Sequence, residues 1–340
     1  MIIPIENQLS YNQIPRNKDL KLTINNKCNA PSRQLVIDWK GDCFVCGCEA
    51  WLPISVGKIT DFDTLEDVWN SPVAKQLQSD IDSGAFTHCA VDRCGVLNES
   101  KLDTQYTISI NIDESCNLRC PSCRTDGIMI SNGSVYDTKL SQVQHIVKLL
   151  ADFKKHCHIV MSGNGDPLAS AIMRPLIHEF EPGDNQTIRL FTNGLLLKKQ
   201  LTDSPLLNNI SQYFISIDAG SKSIYEKVRL GGKWSQLITN LNWLKTIKEK
   251  HNCEVLLKFV LQKDNYQDMQ NFADLCIKYG FNGVINRLED WGTWTDFSEH
   301  DVIGNISHKD HLASMYFLQS TYSQYHNKIQ FNPSLISAIL

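Results

Sequence analysis

Nine of the chain's twelve cysteines fall between residues 28 and 123, and that clustering limits what the chain can be. They are Cys28, Cys43, Cys46, Cys48, Cys89, Cys94, Cys116, Cys120 and Cys123. Disulfide frameworks belong to small secreted domains. The opening MIIPIENQLS lacks the basic start and apolar run of a secretory signal. The expected compartment is therefore the cytoplasm, where clustered thiols serve as metal ligands or redox centres. Cys253 and Cys276 sit among apolar neighbours and read as small core residues. Net charge is −4 without a basic run, so no nucleic-acid or anionic-membrane partner is expected. No apolar stretch reaches the roughly 18 residues of a membrane span.

Beyond the cysteine-rich part the chain alternates apolar strands with amphipathic helices. Strands are predicted at 106–112, 158–163, 187–192, 213–219, 255–262 and 283–288. Helical periodicity lies between them, at 140–153, 234–250 and 266–279. Strands joined through helices need right-handed crossovers, which build a parallel sheet. About 180 residues are too few for a complete eight-fold barrel of ordinary size. The expected class is α/β, a partial (β/α)6 TIM-like barrel. Upstream, 35–39 runs as a strand into a turn at Gly41, and 63–78 reads as one amphipathic helix. The expected domains are a lead segment at 1–22, a small cysteine-rich domain at 23–99, the barrel at 100–297 and a tail at 298–340 packed on it. In such sheets chemistry sits at the carboxyl ends of the strands.

At the end of the first barrel strand, Cys116, Cys120 and Cys123 stand in C-x3-C-x2-C spacing. Three thiolates hold three irons of a cubane cluster, which normally takes four cysteines, and the fourth iron stays open to a ligand. A zinc site with a distant fourth ligand uses the same residue types, although zinc motifs usually come as paired C-x2-C. The segment resembles the signature of the radical S-adenosylmethionine (radical SAM) enzymes, over roughly residues 104–290. The resemblance implies a [4Fe–4S] cluster whose open iron chelates S-adenosylmethionine. It also implies reductive cleavage to a 5′-deoxyadenosyl radical and hydrogen abstraction from a substrate. Ser122 stands where the family often carries an aromatic beside the adenine.

Other strand ends carry further family features. Gly163-Asn164-Gly165-Asp166 resembles the glycine-rich "GGE" motif, which implies contact with the cofactor's amino group; alone it reads as a turn. Thr192-Asn193-Gly194 is similar to a tripeptide common at this place and implies a cofactor-binding Asn193. Ser216 and Asp218 share a strand face, where family members contact the ribose or carboxylate; a helix N-cap is the structural alternative for Asp218. Tyr225, then Arg229 and a Gly-Gly pair, resembles a family pattern that implies a cofactor or substrate contact by Arg229. A solvated Glu226–Arg229 pair is the plain alternative. Lys258 on a barrel-lining face is unusual and suits a substrate carboxylate. Trp291 and Trp294 read as a substrate-facing loop or as cover for the core, and His300, His308 and His311 as surface residues.

Upstream, Cys28, Gly41 and Cys46 stand in C-x12-G-x4-C, followed by Cys89-x4-Cys94. This resembles the SPASM/twitch modules, although such a module usually follows the barrel. The resemblance implies one auxiliary [4Fe–4S] cluster on Cys28, Cys46, Cys89 and Cys94, with Cys43 and Cys48 as competitors. A structural zinc knuckle is the alternative. For the whole chain the resemblance implies oxygen-sensitive oxidation, cross-linking or epimerisation of a peptide or protein. Flavodoxin or ferredoxin would supply electrons. The competing readings are a radical SAM dehydrogenase acting on a sugar, aminocyclitol or nucleoside, and a non-catalytic electron carrier or zinc-stabilised interaction protein. No residue is assigned as catalytic hydrogen donor or base.

Overall fold

The structure, a computed structural model, describes residues 28–47, 51–91, 94 and 103–339. The chain forms two compact units. Of the described residues, one comprises those up to Glu114, Ile130–Gly165 and Ser170–Ile188; the other comprises Ser115–Met129, Asp166–Ala169 and those from Arg189 on.

The first unit holds strands β1 (Gln34–Ile37), β2 (Asp42–Phe44), β3 (Ser55–Lys58), β4 (Tyr106–Ile110) and β5 (Cys157–Met161), in the order β3-β2-β1-β4-β5. β1, β2 and β3 form an antiparallel meander, with Gly41 at φ +80 just before β2. β1 also pairs in parallel with β4, Gln34 opposite Thr107 and Ile37 opposite Ile110. The cysteine-rich segment is thereby built into the sheet that carries β4, so compactness does not divide the chain near residue 100. Strand periodicity reveals a strand but not a distant partner.

Helices α1 (Leu65–Asn70) and α2 (Pro72–Asp82) replace the single helix expected at 63–78. Pro72 cannot continue a helix, but it fits the first turn of a new one. Ser71 caps that turn by accepting from Ala74 N–H at 3.2 Å. α3 (Gly133–Asp152) starts well before the expected 140; residues 133–138 bury nothing, so no apolar periodicity marks them. α4 (Arg174–His178) follows β5. Trp69 fills the core against Tyr106 and Phe153, with ring centroids at 4.7 and 5.7 Å, and donates its indole N–H to Gln34 O. Lys139 of α3 is buried and donates to Trp39 O and Ile112 O, which fixes the chain where it leaves β4. Burial lowers its pKa.

β6 (Gln186–Thr192) runs from the first unit into the second, which continues with β7 (Ile210–Ser216), β8 (Glu254–Leu261), β9 (Asn282–Arg287) and β10 (Ile329–Phe331) in that spatial order. β7 through β10 pair in parallel. Helices α5 (Leu197–Leu201), α6 (Lys222–Val228), α7 (Trp234–His251) and α8 (Met269–Tyr279) connect them. Tyr213, Ile215, Leu257, Phe259 and Ile285 are buried. Phe259 meets Phe272 of α8 at 5.1 Å, so helices cover this face. The alternate residues Phe214, Lys258, Val260 and Asn286 line the opposite, partly open face. The segment after 298 does more than pack. It carries α9 (His311–Tyr325) and α10 (Pro333–Ile339), and its β10 extends the sheet with Ile329 opposite Gly283. His308 and His311 hydrogen-bond to Glu299 O and Val302 O, so they tie this segment together. Cys253 and Cys276 are buried. No helix among the described residues is long and apolar enough to cross a membrane.

Candidate active site and cysteine pocket

The triplet loop belongs to the second unit. Cys116 N–H donates to Ile128 O at 2.9 Å, which closes the loop, and Arg119 N–H donates to Leu230 O at 3.0 Å. A tight turn joins Cys123 N–H to Cys120 O at 2.9 Å. Cys120 is buried, Cys116 half-buried and Cys123 exposed. N–H donors face two of the sulfurs. Leu118 N–H lies 3.4 Å and Asn193 Nδ2 3.9 Å from Cys116 Sγ, and Arg229 Nη1 lies 3.7 Å from Cys120 Sγ. Burial pushes the Cys116 thiol up to about 11 and raises Cys120 as well. Such thiols bind metal by losing their protons, and N–H donors at sulfur stabilise the resulting thiolate. Among the described residues, no three His, Cys, Asp or Glu side chains close around a single ion. Cubane thiolates stand wider apart than that. The donor set fits a cluster.

Within the chain, Asp166 ties strand end to loop. Its carboxylate accepts from Thr192 Oγ1 at 2.8 Å, Asn193 N at 2.7 Å and Leu168 N at 3.0 Å. Its own N–H donates to Ser115 O at 2.8 Å. Burial raises its pKa, opposed by these hydrogen bonds. Asp166 thus fastens the end of β6 to the start of the cysteine loop. That places Asn193, whose Nδ2 also donates to Asn117 Oδ1 at 2.8 Å.

Asp218 and Arg229 form a buried ion pair at 2.6 Å, the side chains 2% and 13% exposed. Both plain alternatives fail. Ser221, not Asp218, occupies the N-cap of α6. Glu226 accepts from Trp234 N–H, while Arg229 pairs with Asp218. Asp218 sits at φ +54 and also accepts from Val260 N–H at 2.9 Å. Burial alone would lower Arg229, but the negative charges of Asp218 and Cys120 outweigh it and hold the guanidinium above its ordinary value. Arg229 therefore links a cysteine of the triplet to a strand-end carboxylate.

Ser216 lies opposite Lys258 in the β7–β8 register. Beside them opens a cavity of about 440 Å³, lined by Phe191, Phe214, Lys258, Asn286, Glu289 and Trp291 among others. Its size suits a small ligand or a side chain. Trp294 lines a separate hollow with Arg119 and Arg124.

Gly163, Asn164 and Gly165 belong to the first unit. Gly163 has φ +148, and a Cβ there would lie 3.1 Å from Asp113 O. Ser162 Oγ donates to Asn111 Oδ1 at 2.7 Å beside it. Gly163→Ala is expected to cost on the order of 1–3 kcal/mol through backbone strain. Thermal unfolding should show a melting temperature several degrees lower, and an unchanged value would refute this.

Cys28, Cys46, Cys89 and Cys94 all line one small pocket in the first unit, with Ile81 and Phe86 at its apolar wall. Burial pushes Cys89 up to about 12, and Cys46, Cys28 and Cys94 act in the same direction. The other three sulfurs are thus within electrostatic reach of Cys89. Gln78 of α2 anchors the first by donating to Cys28 O at 3.0 Å, and Cys94 N–H donates to Ala90 O at 3.0 Å. Four thiols around one apolar hollow fit an iron–sulfur cluster. Cys43 is fully buried within β2 and does not line this pocket. Cys48 lies outside the described residues.

Sequence reasoning missed Asn117, Lys139 and the Phe191–Phe214 pair. The phenylalanines occupy inward positions of predicted strands and were legible by alternation. The other two had no local signal.

Comparison with known proteins gives two family matches. The model for the radical SAM superfamily matches residues 110–276, and that for the SPASM iron–sulfur cluster-binding domain matches 28–95. No curated protein matches the chain. Among solved structures, SuiB of Streptococcus suis, bound to S-adenosylmethionine, is similar at 14% identity and TM-score 0.44, over 80% of this chain and 64% of that one. The anSMEcpe structure with bound AdoMet is similar at 17% identity and TM-score 0.41, over 66% and 63%. A radical SAM methyltransferase from Sphaerobacter thermophilus is similar at 15% identity and TM-score 0.39, over 68% and 67%. The chain spans somewhat less than two thirds of the length of the first two. From the family matches, the chain belongs over residues 110–276 to the radical SAM superfamily, whose members use a [4Fe–4S] cluster and S-adenosylmethionine, and carries an N-terminal SPASM region for iron–sulfur cluster binding.

Proposed function

We propose that this enzyme abstracts a hydrogen atom from a peptide or protein to oxidise, cross-link or epimerise it, with Cys116, Cys120 and Cys123 holding the S-adenosylmethionine cluster. Cys28, Cys46, Cys89 and Cys94 hold one auxiliary cluster in a module spanning about 23–99. When bound, the cluster and cofactor supply a 5′-deoxyadenosyl radical. The observation that carries this reading is the set of N–H donors from Leu118, Asn193 and Arg229 aimed at Cys116 and Cys120. These donors orient the thiolates and lower their charge density. Asp166 holds the β6 end in place, and Asp218 holds Arg229. Gly163 lets backbone approach backbone at the end of β5, the kind of close passage a cofactor site needs. Ser216 faces the open side of β7 and is available to the cofactor or substrate. An SPASM region favours a peptide or protein over a sugar, aminocyclitol or nucleoside.

The test is anaerobic turnover in deuterated buffer with dithionite and S-adenosylmethionine, offering lysate peptides and small metabolites separately. The expected result is 5′-deoxyadenosine formation with deuterium entering, or mass loss appearing in, the peptide pool. The same change confined to small metabolites would favour the second substrate class. Absence of 5′-deoxyadenosine with both clusters loaded would sink the proposal.

A further inference from the structure

We infer that the cavity beside β6–β9 is a carboxylate subsite, in which Lys258 holds an anionic group of the substrate while its neighbouring apolar part lies against Phe191 and Phe214. The inference rests on the proposed radical function, because it names the class of substrate acted on.

Lys258 leaves the open face of β8, between Ser216 of β7 and Val284 of β9 in register. Its ammonium lies 5.5 Å from the Phe191 ring centroid. That ring stacks on Phe214 at 4.2 Å and 5°. The pair forms a flat apolar wall. Among the described residues, the Lys258 ammonium has neither an ion-pair nor a hydrogen-bond partner. The carboxylates near it are engaged or set back. Asp218 is held by Arg229 and Val260 N–H. Glu289, exposed, lines the same cavity and its charge acts on Lys258 without forming an ion pair with it. Burial lowers the Lys258 pKa, opposed by Asp218 and Glu289 and reinforced by Arg229.

A half-buried ammonium with no paired carboxylate is left partly unsatisfied, and a carboxylate entering the cavity would supply a charge-assisted hydrogen bond. A relay of contacts joins the cavity wall to the triplet. Lys258 O accepts from Asp218 N–H at 3.1 Å, and Asp218 leads through Arg229 to Cys120. A carboxylate held here belongs to a free acid or to an acidic residue of a peptide.

The test uses the reconstituted, unreduced holoprotein with S-adenosylmethionine present. Lysines are acetylated with N-hydroxysuccinimidyl acetate, and each rate is followed by mass spectrometry. The added probes are phenylacetate, phenylacetamide, acetyl-Phe-Glu-amide and acetyl-Phe-Gln-amide. At about ten times its dissociation constant, a carboxylate probe is expected to slow Lys258 acetylation roughly tenfold. The amides should leave Lys258 unchanged, and Lys227, exposed and paired with Asp264, should not respond to any probe. Protection by phenylacetate alone assigns a free acid, and by the Glu peptide alone an acidic residue. Protection by both supports the shared carboxylate chemistry. Equal protection by the amides, or by no probe, overturns the inference.

Saturation-transfer NMR with the same probes gives an independent reading that needs no labelling. Carboxylate signals are expected with the wild type and Lys258→Arg, and not with Lys258→Gln; their survival in Lys258→Gln also overturns the inference. Formation of 5′-deoxyadenosine by the wild type is measured apart. Its absence would strike the proposed function, whereas missing protection with that activity intact strikes the subsite alone.

Discussion

Replacing Asp218 by alanine is expected to destabilise the protein by about 3–5 kcal/mol, the usual cost of stripping one partner from a buried ion pair. Arg229 is 13% exposed and would keep its charge with only the Cys120 sulfur beside it. Two further losses add to this. Val260 N–H loses its acceptor, and alanine at φ +54 adopts a left-handed conformation that aspartate tolerates better. The melting temperature should fall on the order of ten degrees. Asp218→Asn separates these causes, because it keeps the shape and removes the charge. Adding Arg229→Gln to Asp218→Asn should recover part of the loss, since no buried charge then lacks a partner. A single-variant loss below about 1 kcal/mol would show that water reaches the pair and that Arg229 is not held as described.

The second large effect concerns iron. In a Cys116/Cys120/Cys123→Ala variant, reconstituted iron should fall from about eight to about four atoms per chain, one cubane being lost. Formation of 5′-deoxyadenosine should fall to background. Replacing Cys28, Cys46, Cys89 and Cys94 should remove the other four or so irons. Low-temperature EPR of each reduced variant should show the remaining cluster alone. If the pocket variant keeps all its iron, the auxiliary ligands lie elsewhere, and Cys48 becomes the first candidate. Replacing Cys43 should not change the iron count, because its side chain is fully buried within β2 and away from the pocket.

The six predicted barrel strands all appear within three residues of the expected ends, because alternation along a strand is a local property. Cys28, Cys46, Cys89 and Cys94, chosen on spacing and resemblance, line a common pocket. The helix expected at 63–78 failed at Pro72, a residue whose effect was legible and outweighed by the apolar period. The roles at the strand ends were less legible. Asp166 and Asp218 looked alike as strand-end carboxylates, yet one secures the turn after β6 and the other neutralises an arginine.

What the amino-acid order determined alone was the inventory: which segments become strands and helices, and which thiols lie close enough along the chain to share a metal. Those are consequences of periodicity and short-range spacing. Tertiary structure alone decided that β1 and β10 join the sheet, that Arg229 reaches Cys120, and that the Lys258 ammonium faces a cavity without a paired carboxylate. Each depends on contacts between residues far apart in the chain, and their energies lie in burial and pairing that no local pattern encodes.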